Sequence, residues 1–306
     1  MTIVAGFRCN SGVVLAADSQ EVISDYAKTT AQKIRVLQHS DKWRVGIAGS
    51  ADDSAYLDLF EEELFDRLIE DLDEYDRRKM ATVVKEVLLN LHKEHIWPQT
   101  ERKSPFQSFV VTQCSGDPKD PTAWLPNLLE TKETAVIPVH GFRSLGVGTY
   151  MAEYLNARFE AHQDVADASL EHLADLCILI LKDVKKAVHG CDGQTTVAVF
   201  YEDGRFRYMT TNEVLAVETS ADEFQKAPMK ALLALHDPNI TDAAFAVIAE
   251  EVGKKMMESV AQRTEFISKR KTTLDKLKSY RSKGRQRLGG IKNPASTGAG
   301  NLEPLS

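Results

Sequence analysis

The sequence predicts an α+β fold in which groups of strands are followed by pairs of helices. The first fifty residues contain β-branched and apolar runs that are typical of strands. From Ser50 onward apolar residues recur at helical spacing, and a second change of this kind follows Gly148. Because strands and helices come in separate groups rather than in alternation, we expect helices to cover the faces of sheets in layers.

Two strand pairs are predicted near the start of the chain. Thr2 to Cys9 and Gly12 to Asp18 flank a short turn, and the second run is almost entirely apolar, as in a strand buried on both faces. Lys33 to Gln38 and Trp43 to Ala48 flank a turn of polar residues in the same way. These four segments predict two neighbouring hairpins.

The later elements follow the same two periodicities. A first amphipathic helix begins near Ser50, with apolar residues on one side and acidic residues on the other. Ser115 to Pro126 is predicted as a long loop rich in Gly, Asp and Pro. The other predicted helices are Met80–Trp97, Tyr150–His162 and Ala168–His189, and the other predicted strands are Phe106–Cys114, Thr134–Val139, Ser144–Gly148, Gln194–Tyr201 and Arg205–Met209.

The composition is typical of a globular chain with reduced cysteines. Hydrophobic residues make up 43% and charged residues 27% of the 306 residues, which excludes disordered and collagen-like classes. The longest strongly apolar run, Leu176 to Leu181, is far shorter than the roughly 20 residues of a membrane span. The four cysteines show no metal or disulfide spacing, and no signal peptide is readable. We therefore expect a cytoplasmic protein with no metal, no cofactor and no membrane partner.

Charge is distributed unevenly and indicates three regions. The net charge is −7, but Lys254 to Lys292 hold about 13 basic and 3 acidic side chains. We predict a main domain at 1–215, a helical C-terminal extension at 216–262 with helices centred near Leu232 and Ile248, and a basic tail at 263–306. The acidic main domain should repel nucleic acid, so only the tail is a candidate for such a contact.

The candidate for chemistry is the start of the chain. Removal of Met1 would leave Thr2 with a hydroxyl and an α-amino group, whose ordinary pKa of about 7.7–8.0 suits it to accept the hydroxyl proton. Such a nucleophile also needs a buried cation, a carboxylate that orients the cation, and N–H donors for an oxyanion. Lys33, Asp18 and Gly49 are the candidates for these parts. Singly each residue is ordinary, and only their combination indicates a site.

The same stretch resembles the opening of a proteasome β-type subunit. The runs Thr2–Cys9, Gly12–Ser19, Lys33–Ile34 and Ile47–Asp52 agree with that family in order and spacing over roughly the first 65 residues. The later helices and strands fit the family's layout to about residue 210. The resemblance implies the fold of N-terminal nucleophile hydrolases, a four-layer α/β/β/α sandwich.

The resemblance also implies a function. Members of the family assemble into rings and cleave peptide bonds with an N-terminal threonine inside a chamber. By position, Thr2 would be the nucleophile, Asp18 and Lys33 its activating pair, and Gly49 the oxyanion donor. The chain would be a threonine-type endopeptidase similar to the simple bacterial ring peptidases, in which only the methionine is removed.

Substrate and partners follow from the same resemblance. Val22 would pair with a substrate strand through its backbone, and Ile47 would line an apolar pocket that favours hydrophobic residues before the cleaved bond. The substrate would be a peptide or an unfolded protein, the assembly a homo-oligomeric ring, and an ATP-dependent unfoldase a partner.

Three segments depart from the family pattern. The family's Asp-(Ser/Thr)-Arg-Ala-Thr is replaced by Asp18-Ser19-Gln20-Glu21-Val22, which ends without a hydroxyl. Val147 stands where the family has a serine between two glycines, and Val188–Cys191 replaces an Asp-x-x-Ser element. Cys191 or Asp192 could take over from that element. The changes remove support for the α-amino group rather than the nucleophile.

Two alternatives to a peptidase remain open from the sequence. A non-proteolytic amidase of the same fold would use Thr2 on a small molecule and need no ring. A structural ring subunit would lack catalysis, which the two lost hydroxyl-bearing elements favour. Retention of Met1 would also favour the structural subunit, because the α-amino group would then belong to the wrong residue.

Overall fold

The structure, a computed structural model, divides the chain into two units, Met1–Ala221 and Asp222–Ser306. In the second unit, residues 243–255 form a helix, which matches the helix predicted near Ile248. The helix predicted near Leu232 lies outside the described residues, and the predicted domain limits remain predictions. The structure describes residues 2–24, 27–39, 43–50, 55–70, 77–98, 106–114, 126–160 and 168–220, together with 222, 241, 243–255, 257, 258, 261 and 268.

The described part of the first unit contains twelve strands and five helices. The helices are α1 Ala55–Glu70, α2 Arg77–Leu91, which continues into a π-helical turn at His92–Ile96, α3 Thr149–Glu160, α4 Leu170–Ala187 and α5 211–220. None of the helices in the described part of the chain combines the length and apolarity needed to span a membrane. The strands are β1 Ile3–Cys9, β2 Gly12–Asp18, β3 Gln20–Ser24, β4 Ala27–Thr30, β5 Ile34–His39, β6 Trp43–Ser50, β7 Gln107–Cys114, β8 Asn127–Lys132, β9 Ala135–Pro138, β10 Gly141–Gly146, β11 Thr195–Tyr201 and β12 Phe206–Tyr208.

Ten of these strands form two antiparallel sheets of five strands each. The first sheet has the order β10-β1-β2-β11-β12, and the second has the order β5-β6-β7-β8-β9. Strands β3 and β4 pair only with each other among the described residues. In the first sheet, Ile3 lies opposite Gly146, and Asp18 lies opposite Thr195. Because β1 and β2 are antiparallel, with Val4 opposite Ala17, the start of β1 and the end of β2 lie side by side at one end of the strands.

Three clusters of buried apolar residues explain the continuous apolar runs. On β2, Val14 and Ala16 face a cluster formed with α3 and α4, whereas Val13, Leu15 and Ala17 belong to a cluster shared by the two sheets. A third cluster joins β6 and β7 to α1 and α2. Because successive side chains of a strand point to opposite faces, a strand buried on both faces must be apolar throughout.

Most predicted elements are confirmed to within a few residues, and three strands were missed. The short β3 and β4 have no apolar alternation and join neither of the five-stranded sheets, so their sequence resembles a loop. Strand β8 directly follows the predicted loop 115–126 and contains polar residues at its ends. Of that predicted loop, only residue 126 lies within the described part of the chain.

The prediction of a four-layer α/β/β/α sandwich as the fold class was wrong. The structure is mixed α+β with two antiparallel sheets, and it contains elements that the layered scheme omits. The β3–β4 hairpin belongs to neither large sheet, and the chain continues past β12 into the helices 211–220 and 243–255. The scheme came from a resemblance that extended to about residue 210, so it did not include the later helices. Strands β3 and β4 lie within the compared stretch, but they lack the apolar alternation that predicts strands.

Candidate active site

The centre of the site is the carboxylate of Asp18, at the end of β2. The Thr2 hydroxyl donates to Asp18 Oδ1 over 2.8 Å, and the Ile3 N–H donates to the same oxygen over 3.0 Å. Asp18 is 1% exposed and Thr2 is 5% exposed. The carboxylate therefore fixes both the side chain of Thr2 and the backbone that follows it.

Lys33 supplies the positive charge that balances this buried carboxylate. Its ammonium group donates to Asp18 Oδ1 over 2.6 Å and also to the backbone carbonyl of Gln20. Because a buried charge is costly unless it is paired and hydrogen-bonded, the two side chains stabilise each other's charged forms. The structure thus brings Thr2 and Lys33 together on the carboxylate of Asp18, and the catalytic roles of the three residues remain predictions.

The turn between α4 and β11 closes the other side of the carboxylate. The Asp192 N–H donates to Asp18 Oδ2 over 3.2 Å, and the Gln20 N–H donates to the Asp192 carbonyl over 3.2 Å. The Gln194 N–H donates to Ser19 Oγ over 2.9 Å. A Cβ at Gly193 would lie 2.5 Å from Ser19 Oγ, so only glycine allows this close approach.

Two glycines of the segment around Val147 hold the start of β1. Gly146 has φ +99°, and a Cβ there would overlap the carbonyl oxygen of Thr2. A Cβ at Gly148 would lie 2.5 Å from Val184 and 3.3 Å from the Cys191 sulfur. Val147 itself is 45% exposed. The glycines are therefore needed for close packing around Thr2.

Gly49 lies within strand β6 rather than at the start of a helix. Its N–H donates to the Lys33 carbonyl over 3.4 Å, which is a long hydrogen bond. A Cβ at this position would lie 2.9 Å from Leu57 Cδ1 and 3.3 Å from the Phe106 ring, so a larger residue would crowd these side chains. The predicted oxyanion donor is thus next to Lys33, and its hydrogen already has an acceptor.

The two predicted substrate-binding residues lie in different surroundings. Ile47 is completely buried in the apolar cluster beneath α1 and α2. The backbone of Val22 belongs to β3 and lies opposite Lys28 of β4, and the side chain of Val22 is outside the described residues. Neither residue has a described contact with Thr2, Asp18 or Lys33, and their roles remain predictions.

Cys191 is the residue of the departing segment that reaches the site. It is 2% exposed, and burial, reinforced by the Asp18 carboxylate, raises the pKa of its thiol to about 11. The thiol therefore stays protonated at neutral pH and is a weak hydrogen-bonding group rather than a nucleophile. In the described residues, no group of three or more His, Cys, Asp or Glu side chains could hold a metal ion.

Sequence reasoning missed several donors and acceptors because most belong to the backbone. The N–H groups of Ile3, Asp192 and Gln194 have no residue signature, and Ser19 is a common residue in turns. The only readable signal was the glycine pair at 190 and 193, since glycines close together favour a tight turn that can approach another chain segment.

With this geometry established, comparison with known proteins shows a likeness of fold. Anbu from Yersinia bercovieri, described as an ancestral beta-subunit, has a TM-score of 0.60 and 11% identity, covering 78% of this chain and 98% of that one. A mutant of Anbu from Hyphomicrobium sp. strain MC1 has a TM-score of 0.60 and 13% identity, covering 75% and 97%. The helical assembly of the Anbu complex from Pseudomonas aeruginosa gives 0.59 and 14%, covering 79% and 99%. No protein-family model and no curated protein sequence matches the chain.

The identification of the chain as a member of the proteasome β-type subunit family was therefore wrong. The likeness is to Anbu, a proteasome-like protein, and at 11–14% identity it shows the fold alone. The motif that suggested the subunit family consists largely of small and apolar residues in β1 and β2. Burial on both faces requires such residues in any protein of this fold, so they do not identify one family.

Proposed function

We propose that the chain is an N-terminal threonine hydrolase that cleaves peptide bonds with Thr2 after removal of Met1. The observation that carries the proposal is the buried contact of the Thr2 hydroxyl, the Asp18 carboxylate and the Lys33 ammonium. A hydroxyl held 2.8 Å from one member of a buried ion pair has a fixed position and direction. The same carboxylate oxygen accepts from the Thr2 hydroxyl and from Lys33, which places a positive charge near the hydroxyl.

In the proposed reaction, Thr2 Oγ1 attacks the substrate carbonyl carbon while its proton passes to the α-amino group of Thr2. The nearby positive charge of Lys33, oriented by Asp18, stabilises the negative charge that develops. The amine leaving group takes up the proton, the C–N bond breaks, and an ester remains on Thr2. A water molecule that gives its proton to the same α-amino group then hydrolyses the ester and restores the hydroxyl.

The Gly49 N–H would serve as the oxyanion donor in this reaction. Its hydrogen bond to the Lys33 carbonyl is 3.4 Å long and therefore weak, so an oxyanion that approaches to about 2.8 Å would compete with it. We further propose a preference for hydrophobic residues before the cleaved bond. A panel of fluorogenic peptides tests this preference, and faster cleavage after basic or acidic residues would contradict it.

Assembly into a homo-oligomeric ring, with peptide or unfolded-protein substrates and an ATP-dependent unfoldase, is part of the same proposal. The likeness to Anbu, one structure of which is described as a helical assembly, supports the oligomeric part of this proposal. Light scattering of the purified full-length protein tests it. A mass of one chain at micromolar concentration would contradict the assembly and favour a monomeric amidase.

A second candidate function is a structural subunit without catalysis. The specific observation in its favour is that the Gly49 N–H already has an acceptor within the chain. Val147 also favours a structural subunit, because it stands where the proteasome family has a serine and therefore supplies no hydroxyl beside the nucleophile.

An electrophile selective for N-terminal threonine separates these functions. The intact mass of the treated wild-type protein is expected to show loss of Met1 and one adduct, which peptide mapping places on Thr2. Thr2→Ser keeps a hydroxyl and should still react, whereas Thr2→Val has nearly the same shape and should not. A processed but unlabelled wild-type protein, or retained Met1, would contradict the hydrolase and support the structural subunit.

A further inference from the structure

Helix α5 is anchored by two lysines of α4 through a single residue, Glu218. The Lys182 ammonium donates to the backbone carbonyl of Glu218. The Lys185 ammonium lies 3.2 Å from the Glu218 carboxylate, and both side chains are largely buried. These two contacts attach α5 to α4.

The Lys185 ammonium also binds the turn that completes the site. It donates to the Gly193 carbonyl over 3.1 Å and to Thr195 Oγ1 over 2.7 Å. Thr195 Oγ1 in turn donates to the Glu218 carboxylate over 3.2 Å. Lys185, Thr195 and Glu218 therefore form a closed triangle of hydrogen bonds with Gly193 attached to it.

Both attachment points of this triangle are immediate neighbours of Asp18. Thr195 lies directly opposite Asp18 in the pairing of β11 with β2. Gly193 follows Asp192, whose N–H donates to Asp18 Oδ2, and precedes Gln194, whose N–H donates to Ser19. A displacement of the Gly193 carbonyl would therefore move the N–H groups on either side of it.

We propose that Lys185 and Glu218 are positioning residues of the active site. They hold the turn at 190–194 so that the Asp192 N–H stays bonded to the carboxylate that orients Thr2 and Lys33. Neither residue touches Thr2, so they act through the turn and not on the substrate. The inference rests on the proposed function where it concerns the reactivity of Thr2, whereas the anchoring of the turn is independent of it.

The chain offers a matched control on the same helix. Glu213 pairs with Arg207 over 2.9 Å. It also accepts from the Thr210 N–H over 2.7 Å, and this hydrogen bond caps the N-terminal end of α5. Both of these partners lie outside the turn at 190–194. Glu213→Gln therefore loosens α5 without releasing Gly193, whereas Glu218→Gln and Lys185→Met act on the triangle.

Amide hydrogen exchange of the full-length protein tests the anchoring. In Glu218→Gln and Lys185→Met, exchange in peptides covering 188–194 is expected to be roughly tenfold faster than in the wild type, as for the loss of one charged hydrogen bond. Glu213→Gln should leave these peptides unchanged. Unchanged exchange in both triangle variants, or equal acceleration in Glu213→Gln, would overturn the proposal.

Labelling of Thr2 by the threonine-selective electrophile tests the consequence for reactivity. The labelling rate at saturation is expected to fall about tenfold in the triangle variants, with little change in the half-saturating concentration, because no contact to the reagent is lost. Wild-type rates in variants with accelerated exchange would overturn the positioning role. A wild-type protein that takes no label overturns the proposed function instead, and the exchange experiment still decides whether the triangle holds the turn.

Discussion

Asp18 accepts hydrogen bonds from a hydroxyl, an ammonium group and two backbone N–H groups, so its two oxygens join three separate parts of the chain to the end of β2. Three of these donors share Oδ1, and the Asp192 N–H alone occupies Oδ2. An amide in place of the carboxylate would keep the size of the side chain but would lose the negative charge. At the scale of single residues, charge is therefore what holds the site together.

Asp18→Asn is expected to destabilise the protein by about 3–5 kcal/mol, because Lys33 would remain as a buried charge without its partner. Chemical denaturation measures this free energy of unfolding. The double variant Asp18→Asn with Lys33→Met removes both charges and should recover a substantial part of the loss. A single variant within 1 kcal/mol of the wild type would show that the pair is effectively solvated.

Cys191 makes stability depend on pH in the alkaline range. The pKa of its thiol is about 11 in the folded protein and about 9 in the unfolded chain. The folded state therefore keeps a proton that the unfolded state releases, and the free energy of unfolding should fall as pH rises from about 9 to 11.

The measurement is the pH dependence of unfolding in the wild type and in Cys191→Ala. The variant is expected to show a shallower fall over that range, since other alkaline titrations are common to both proteins. Cys9→Ala serves as the control because Cys9 is half-buried and lies at the far end of β1. Equal slopes in the wild type and in Cys191→Ala would contradict the prediction.

At the scale of elements, β10 contains two glycines with positive φ, and only one of them is also tightly packed. Comparing them distinguishes the effect of backbone conformation from the effect of packing. Gly141 has φ +82° with open space around a Cβ, whereas Gly146 has φ +99° and lies against Thr2. Alanine at either position is strained by about 1–3 kcal/mol. Only Gly146→Ala should additionally displace Thr2.

We therefore expect Gly146→Ala to lower the free energy of unfolding more than Gly141→Ala does, and to abolish electrophile labelling of Thr2. Gly141→Ala should label at a rate close to that of the wild type. Denaturation and intact-mass kinetics provide the two measurements. Equal effects of the two substitutions would mean that β10 yields to the added methyl group without moving Thr2.

The sequence predicted most elements because burial on two faces leaves a strong signal. The apolar run of β2 ends abruptly at Asp18, and a charged residue at the end of such a strand is readable as a candidate. Lys33 was readable for the same reason, since it directly precedes an apolar strand. Strands β3, β4 and β8 gave no comparable signal, because they are short and carry polar residues.

The rest of the site could not be predicted for a different reason. The donors from Ile3 and Asp192 are backbone groups, and any residue except proline would supply them. The triangle of Lys185, Thr195 and Glu218 joins residues that are far apart along the chain. Their contact depends on how α5 returns to α4, which a single sequence does not reveal.

At the scale of the whole molecule, two truncated chains that end at different limits of the first unit would differ in how much of α5 they contain. A chain that ends at residue 215, the predicted domain limit, would lack Glu218, whereas a chain that ends at 221 would keep it. We expect the shorter chain to be less stable by roughly 2–4 kcal/mol, because Lys182 would lose its contact with the Glu218 carbonyl and Lys185 its ion pair with the Glu218 carboxylate.

Thermal and chemical unfolding of the two truncated chains measure the difference. Glu218→Gln in the longer chain is the control, since it removes the charge while the helix remains. It should account for only part of the loss. Equal stability of the two chains would show that residues 216–221 do not contribute to the first unit.

The central position of β2 in the first sheet affects how the chain folds while it is being synthesised on the ribosome. One neighbour, β1, is made just before it, but the other, β11, begins only at Thr195. At roughly 5–20 residues per second, β11 emerges about 10–35 s after β2. Early in that interval the strongly apolar strands β1 and β2 lack both β11 and the helices α3 and α4 that cover them. We therefore expect nascent chains stalled before residue 195 to recruit chaperones that bind extended apolar segments, and chains released beyond α4 and β11 to do so far less.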